Sequence, residues 1–236
     1  MSDNLGDRMK SQYENRTRFM LPRRTYTIIR LDGKAFHSYT KGLERPYDEK
    51  FMIDMDSTMC DLAANIQGCK FGYVQSDEIS LVLTDFDTIT TEAWFNGNVQ
   101  KMASVSASMA TAYFNKYRNL RSNNNPIALF DSRVFTIPDP IEVHNYFVWR
   151  QQDAVRNSIQ SAAQSLFSHK SLEGLNCFQL QEKMWVEAGI NWNNYPASFK
   201  RGRCAHKMTE WFTSAAPKFT EDIEWILDQI KQPNTR

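Results

Sequence analysis

The chain has 236 residues, with 28 Lys and Arg against 27 Asp and Glu, a formal charge of +1. That balance excludes a polybasic tail protein and a self-repelling acidic chain, while 42% hydrophobic, 13% aromatic and 23% charged residues suit a globular protein with a sizeable core. No run of ~18 apolar residues predicts a membrane span, and Asp3, Asp7, Arg8 and Lys10 stand where a signal peptide needs its apolar stretch.

Residues 1–24 are polar, with Arg16, Arg18, Arg23 and Arg24, and read as an arm before the core. Residues 26–31 (YTIIRL) are β-rich and run into Asp32-Gly33, a strand and its turn. Over residues 49–67 the apolar Phe51, Met55, Met59, Leu62 and Ile66 recur at helical spacing, and Gly68 stops the helix. Residues 71–75 and 78–83 form a hairpin about Ser76-Asp77. A long helix is predicted over 92–117, with Val99, Met102, Ser106, Met109, Ala110 and Tyr113 on one face. Residues 127–130 and 134–137 supply strand material on either side of Asp131-Ser132-Arg133. Helices follow over 141–168, 178–188 and 220–230, with an irregular, basic, Asn-rich stretch over 189–207.

The order β-α-β-β-α-β predicts a two-layer α+β fold of ferredoxin-like arrangement. Residues 1–140 would be the catalytic core with its arm, and 141–236 a helical extension packed on it as one structural unit. Cys60, Cys69, Cys177 and Cys204 form no CxxC pair, and the four histidines form no HxxH or HExxH. This argues against a zinc site and for free thiols in a reducing, cytoplasmic compartment.

The topology carries a chemical expectation. Strands 1 and 2 of such a sheet run parallel with strand 3 antiparallel between them. The end of strand 1, with Asp32, then lies beside the strand 2–strand 3 turn, with Asp77. Neighbouring carboxylates with access to water suit Mg²⁺, and two such ions assist phosphoryl transfer. The plain alternative is that both aspartates are turn residues.

Residues 30–37 (RLDGKAFH) and 72–78 (GYVQSDE) resemble the paired signatures of the tRNA(His) guanylyltransferase family. These are 3′–5′ nucleotide-adding enzymes with a palm like that of conventional polymerases. The resemblance continues through Trp94-Phe95, Lys101, Phe130-Asp131-Ser132-Arg133, Trp149-Arg150-Gln151-Gln152-Asp153, Gly189 to Asn194 and Lys200-Arg201-Gly202, so that it spans residues 25–205 in order. It implies Asp32, the Gly33 carbonyl and Asp77 as ligands of two Mg²⁺ ions, with Glu78 as a supporting acid whose strand position points it away from Asp77. It implies that the turn Gly33, Lys34, Ala35, Phe36 and His37 cradles a triphosphate, with Lys101 reaching phosphate oxygens. Arg45, Ser76 and Asn191 match positions tied to adenylylation of the tRNA 5′-monophosphate by ATP, with GTP or another nucleoside triphosphate then added. Arg45 stands where the family has a lysine. Members assemble as tetramers, which implies a homo-oligomer here.

The chain departs from the eukaryotic pattern on the long helix. Val155 stands where a recognition histidine would be, with Asn157 and Ser158 after it, and Asn98 replaces a basic residue. These departures favour the bacterial and archaeal branch, which repairs 5′-truncated tRNAs by templated addition. For tRNA binding the residues themselves offer Arg150, Arg156, Lys200, Arg201, Arg203 and Lys207 as phosphate contacts, and Trp192 and Phe199 as stacking or core aromatics. The competing functions are a strict tRNA(His) guanylyltransferase adding one G, a palm-type nucleotide cyclase, and a non-catalytic RNA-binding module.

Overall fold

The layering of the elements follows from two strands that are buried on both sides. The computed structural model describes residues 4–121 and 126–231, so the first three residues of the predicted arm lie outside it. Six strands, β1 (Tyr26–Gly33), β2 (Cys69–Gln75), β3 (Glu78–Leu83), β4 (Phe130–Ile137), β5 (Arg203–Lys207) and β6 (Trp211–Ala215), form one antiparallel sheet in the order β4-β1-β3-β2-β5-β6. The first four strands are those predicted, in the ferredoxin-like order. β2 and β3 are buried along their whole length. A strand buried on both faces needs cover on both, and the helices provide it.

The helices are α1 (Leu5–Gln12), α2 (Phe36–Tyr39), α3 (Glu49–Asn65), α4 (Val99–Arg121), α5 (Pro140–Leu166), α6 (His169–Leu172), α7 (Cys177–Ala188), α8 (Ala197–Arg201) and α9 (Ile223–Lys231). On one face, Ile29, Leu31, Val74, Ile79 and Leu81 pack against Met55, Met59 and Leu62 of α3 and Met102 and Phe114 of α4. On the other, Ile28, Phe71, Tyr73 and Val82 pack against Val143 and Phe147 of α5, Phe219, and Ile226 and Ile230 of α9. The fold is therefore α+β with three layers, not the expected two. The chain after residue 140 closes the second face and is not confined to one side of the core.

Two further expectations are corrected. The stretch over 189–207 is not irregular throughout, because its end forms β5, which pairs with β2 through Tyr73 and Cys204 and with β6 through Lys207 and Trp211. Cys204 and Ala205 are fully buried there, and the flanking Arg203 and Lys207 mask so short a strand in the sequence. The long helix does not begin at residue 92. Phe95 and Asn96 take left-handed φ values of 49° and 52° in a one-turn helix over Trp94–Gly97. Asn98 then accepts from the Lys101 N–H at 3.0 Å and caps α4. No described helix is long and apolar enough to cross a membrane.

Candidate active site

β1 and β3 place the acidic residues by register. Asp32 lies directly across from Glu78 on β3 and from Asp131 on β4, so all three project from the face that α5 covers. Two residues, Ser76 and Asp77, turn the chain between β2 and β3. Ser76 holds a φ of +47°, an uncommon conformation for a non-glycine residue and one that clusters at working sites. Above these strand ends, α5 presents Trp149, Arg150, Asp153, Arg156 and Asn157. Together with Arg30, Arg133, Gln75, Ser76 and the three acids Asp32, Asp77 and Glu78, they line a cleft of about 570 Å³. The topological expectation is met: Asp32 and Asp77 share one cleft.

The charges in the cleft are not equivalent. The Asp77 carboxyl is pushed up to about 6, by burial first and then by the nearby charge of Asp32. Burial also raises Asp32, Asp131 raises it further, and Arg133, Arg30 and Arg150 pull it back. Glu78 has a different role. The Arg150 Nε donates to its Oε1 at 2.7 Å, with both side chains at most 10% exposed. Its charge is already matched, and it lines the same cleft as Asp77, against the expectation that its strand position points it away. Asp131, which the sequence offered only inside a longer motif, is the acid that most raises Asp32.

A cation fits the Asp32–Asp77 pair. Burial raises both carboxyls, and the charge of Asp32 raises Asp77 further, so a cation in this partly buried cleft relieves them. Among the described residues no three His, Cys, Asp or Glu side chains converge on one point. The ligand set would therefore need backbone oxygen, water or phosphate, the usual company of Mg²⁺. Gly33 follows Asp32 at the end of β1, where a Cβ would stand 2.2 Å from the Phe36 ring. That ring cannot swing away, being packed by Phe51, Phe114 and Phe130 at centroid distances of 5.1–6.0 Å. The chain can pass this point only as glycine.

The turn after Gly33 is less open than expected. The Lys34 N–H already donates to the Leu129 carbonyl at 2.8 Å. Ala35, at a φ of 57°, starts the single turn of α2, which buries Phe36 and leaves Lys34, Ala35 and His37 exposed. Lys101 does not join the carboxylates. α4 runs antiparallel to β4, with Ser106 on Ser132 at 2.8 Å and Thr111 accepting from the Phe130 N–H at 3.2 Å. α4 covers the sheet face opposite the cleft, and Lys101 lies in its first turn, over Phe95 at 5.8 Å.

A second hollow, of about 140 Å³, opens beside the cleft and shares Gln75, Ser76 and Asn157 with it. Arg45, Tyr47, Ser158, Ser161 and Phe199 are among its walls, with the acids Glu44 and Asp48. Arg45 and Ser76 are thus brought together, and Phe199 stacks on Tyr47 at 4.7 Å in the wall. Asn191 lines neither hollow; its side chain accepts from the Asn193 N–H at 2.9 Å and caps a short turn. Asn157 belongs to both hollows, and only its place on one side of α5 could have signalled this.

The basic run over 200–203 is not an open phosphate surface. Lys200 is 9% exposed and donates to the Asn193 carbonyl. Arg203 is 5% exposed and donates to Asp56 at 2.7 Å. Arg150 is held by Glu78 and Asp153. Sequence proximity brought these cations together, but burial beside acids and carbonyls gives each an internal partner. Arg156 remains open at the cleft rim, 59% exposed beside Asp153, and Arg201 is half-buried.

Comparison with known proteins agrees with this geometry. Residues 6–138 match the family model described as Thg1, tRNAHis guanylyltransferase. An uncharacterized protein of Acanthamoeba polyphaga mimivirus is 32% identical over 86% of this chain and 76% of its own. The tRNA(His) guanylyltransferase of Saccharomyces cerevisiae is 28% identical over 78% of this chain and 84% of its own. A bacterial tRNA(His) guanylyltransferase (Thg1)-like protein solved in complex with ATP superposes with a TM-score of 0.94 at 46% identity, covering 97% of this chain and all of that one. Another, solved in complex with GTP, gives 0.83 at 40% identity over 98% of this chain. The motifs, the sheet order and these likenesses coincide: the chain belongs to the tRNA(His) guanylyltransferase family and is a nucleotidyltransferase.

Proposed function

We propose that this protein adds nucleotides in the 3′–5′ direction to the 5′-end of truncated tRNA, after adenylylation of the 5′-monophosphate by ATP, with the base chosen by the opposite strand. The sheet then serves as a polymerase-type palm. The observation that carries the reading is the pair of hollows that meet at Ser76 and Asn157, one holding Asp32 and Asp77 and the other Arg45. Two successive transfers at one 5′-phosphate need two nucleotide positions that meet at one reacting centre, and two adjoining hollows support that reading.

Asp32, Asp77 and the Gly33 carbonyl would hold Mg²⁺, which when bound would neutralise phosphate charge and favour ionisation of the attacking hydroxyl. The chain's own groups do the remainder. Arg45, exposed at the smaller hollow, offers a guanidinium to an anionic nucleotide there. Ser76 holds the strained turn that aims Asp77. Arg150 fixes Glu78 beside Asp32 and keeps that wall of the cleft in place. Arg30, Arg133 and Arg156 line the same cleft and give it positive charge toward an RNA end.

Templated repair is favoured over strict addition of one G by Val155, a half-buried residue packed against the cluster of Ile159, Leu180 and Met184. A side chain committed to that core does not read an anticodon. The exposed Leu5, Met9 and Tyr13 of the N-terminal arm, where α1 buries no residue of its own, support assembly into a homo-oligomer. The function is tested by incorporation of nucleotide into a 5′-labelled truncated tRNA with and without Mg²⁺. Asp32→Ala and Asp77→Ala are expected to abolish incorporation while keeping the fold, and near-normal activity of either variant refutes the assignment.

A further inference from the structure

Trp149 stands at the cleft with 52% of its surface exposed, a large apolar side chain in a wall otherwise built of charged and polar groups. It is not loose. The Arg150 guanidinium lies 4.3 Å from its ring centroid, that of Arg30 lies 5.7 Å away, and Tyr146 meets it edge to face at 6.0 Å. Tyr146 is itself tied to Ser80 on β3 at 2.8 Å. The indole is thus held by both the helix and the sheet. Such rigidity at an exposed position gains nothing for the core, but it lowers the entropic cost of binding a flat ligand.

Nucleobases are flat, apolar on their faces and carried on anions. They stack on aromatic side chains whatever their identity, and the exposed Arg156 at the rim of the same cleft offers charge to the phosphates they bear. We infer that Trp149 is the stacking platform for the base of the incoming nucleoside triphosphate. This rests on the proposed polymerase function. An incoming base that pairs with the template has one face against the last base pair of the acceptor stem. Its other face would lie open to water unless the protein covers it, and Trp149 is the exposed aromatic that shares the cleft with Asp32 and Asp77. Because stacking does not discriminate among bases, the choice remains with the template.

The test uses a truncated tRNA bearing a 5′-triphosphate, which needs no activation, with each of the four nucleotides offered opposite its complement. Trp149→Ala is expected to raise the KM for nucleotide about tenfold or more for all four. The KM for tRNA, and adenylylation of a 5′-monophosphorylated tRNA, should stay within about twofold. Trp149→Phe, which keeps an aromatic face, should restore most of the loss. Binding is read separately with 2-aminopurine riboside triphosphate opposite U: the wild-type protein should quench its fluorescence more than Trp149→Ala does. If the wild type quenches but adds no nucleotide, the polymerase function fails and the stacking role stands. If the wild type adds nucleotides and Trp149→Ala leaves both KM and quenching unchanged, the stacking role is wrong. It is equally wrong if the KM for tRNA rises instead, or if Trp149→Phe is as impaired as Trp149→Ala.

Discussion

Arg150 donates through Nε to Glu78 Oε1 at 2.7 Å and through its other arm to Asp153 at 2.7 Å, so one guanidinium joins α5 to the strand that leaves the Ser76–Asp77 turn. Removing it leaves the buried Glu78 without its hydrogen-bonded counter-charge, with only the positive charge of Arg30 acting on it. Arg150→Met is expected to cost about 3–5 kcal/mol of stability, read by urea unfolding. Adding Glu78→Gln to that variant should recover part of the loss, because the stranded charge is gone. Equal stability of wild type and Arg150→Met would show that water, not the guanidinium, compensates Glu78.

Asp77 gives a signature of metal binding that does not depend on turnover. An aspartate titrates near 3.8 in the unfolded chain and at about 6 in the folded one. Between those values the folded state binds more protons, so stability falls as pH rises through that window. Asp77→Asn should therefore be more stable than the metal-free wild type at pH 7, by about 1–2 kcal/mol. The difference should vanish below pH 3.8. Mg²⁺ should stabilise the wild type and leave Asp77→Asn unaffected in thermal melts. A wild type indifferent to Mg²⁺ in those melts contradicts the ligand assignment.

The second hollow separates the two chemical steps. Arg45→Ala should impair adenylylation of a monophosphorylated tRNA by about 10²-fold while extension of a triphosphorylated one falls far less, since that substrate carries its own leaving group. Asn191→Ala should behave differently. Its side chain caps a local turn, so the loss of about 1 kcal/mol appears in stability and affects both substrates alike. The same discrimination by both variants would place Asn191 in the nucleotide site after all.

Much of this site was legible because its logic is topological. Strand alternation and helix spacing fixed the order of the first four strands, and that order alone puts Asp32 beside Asp77. Those signals are local, and short stretches of sequence carry them. What was hidden depends on long-range burial. β5 carries Arg203 and Lys207 at its ends and reads as a polar loop, yet its middle is dry because β2 and β6 flank it. Lys200 and Arg203 look like RNA contacts until Asn193 and Asp56 are seen to hold them. Asn98 reads as the loss of a basic residue, and its place shows a helix cap. A cation's partner can lie far away in the chain, as Asp56 does for Arg203, and no periodicity reports it.

The claim that the template, and not an anticodon, chooses the added base is tested most directly by a panel of 5′-truncated tRNAs. The panel carries each of the four template bases on two unrelated anticodons, with all four nucleoside triphosphates present. The 5′-end should receive the complement of the unpaired base on every member, at rates that do not depend on the anticodon, with full-length tRNA(His) no better a substrate. Addition of G alone, whatever the template and only with the histidine anticodon, would contradict the account.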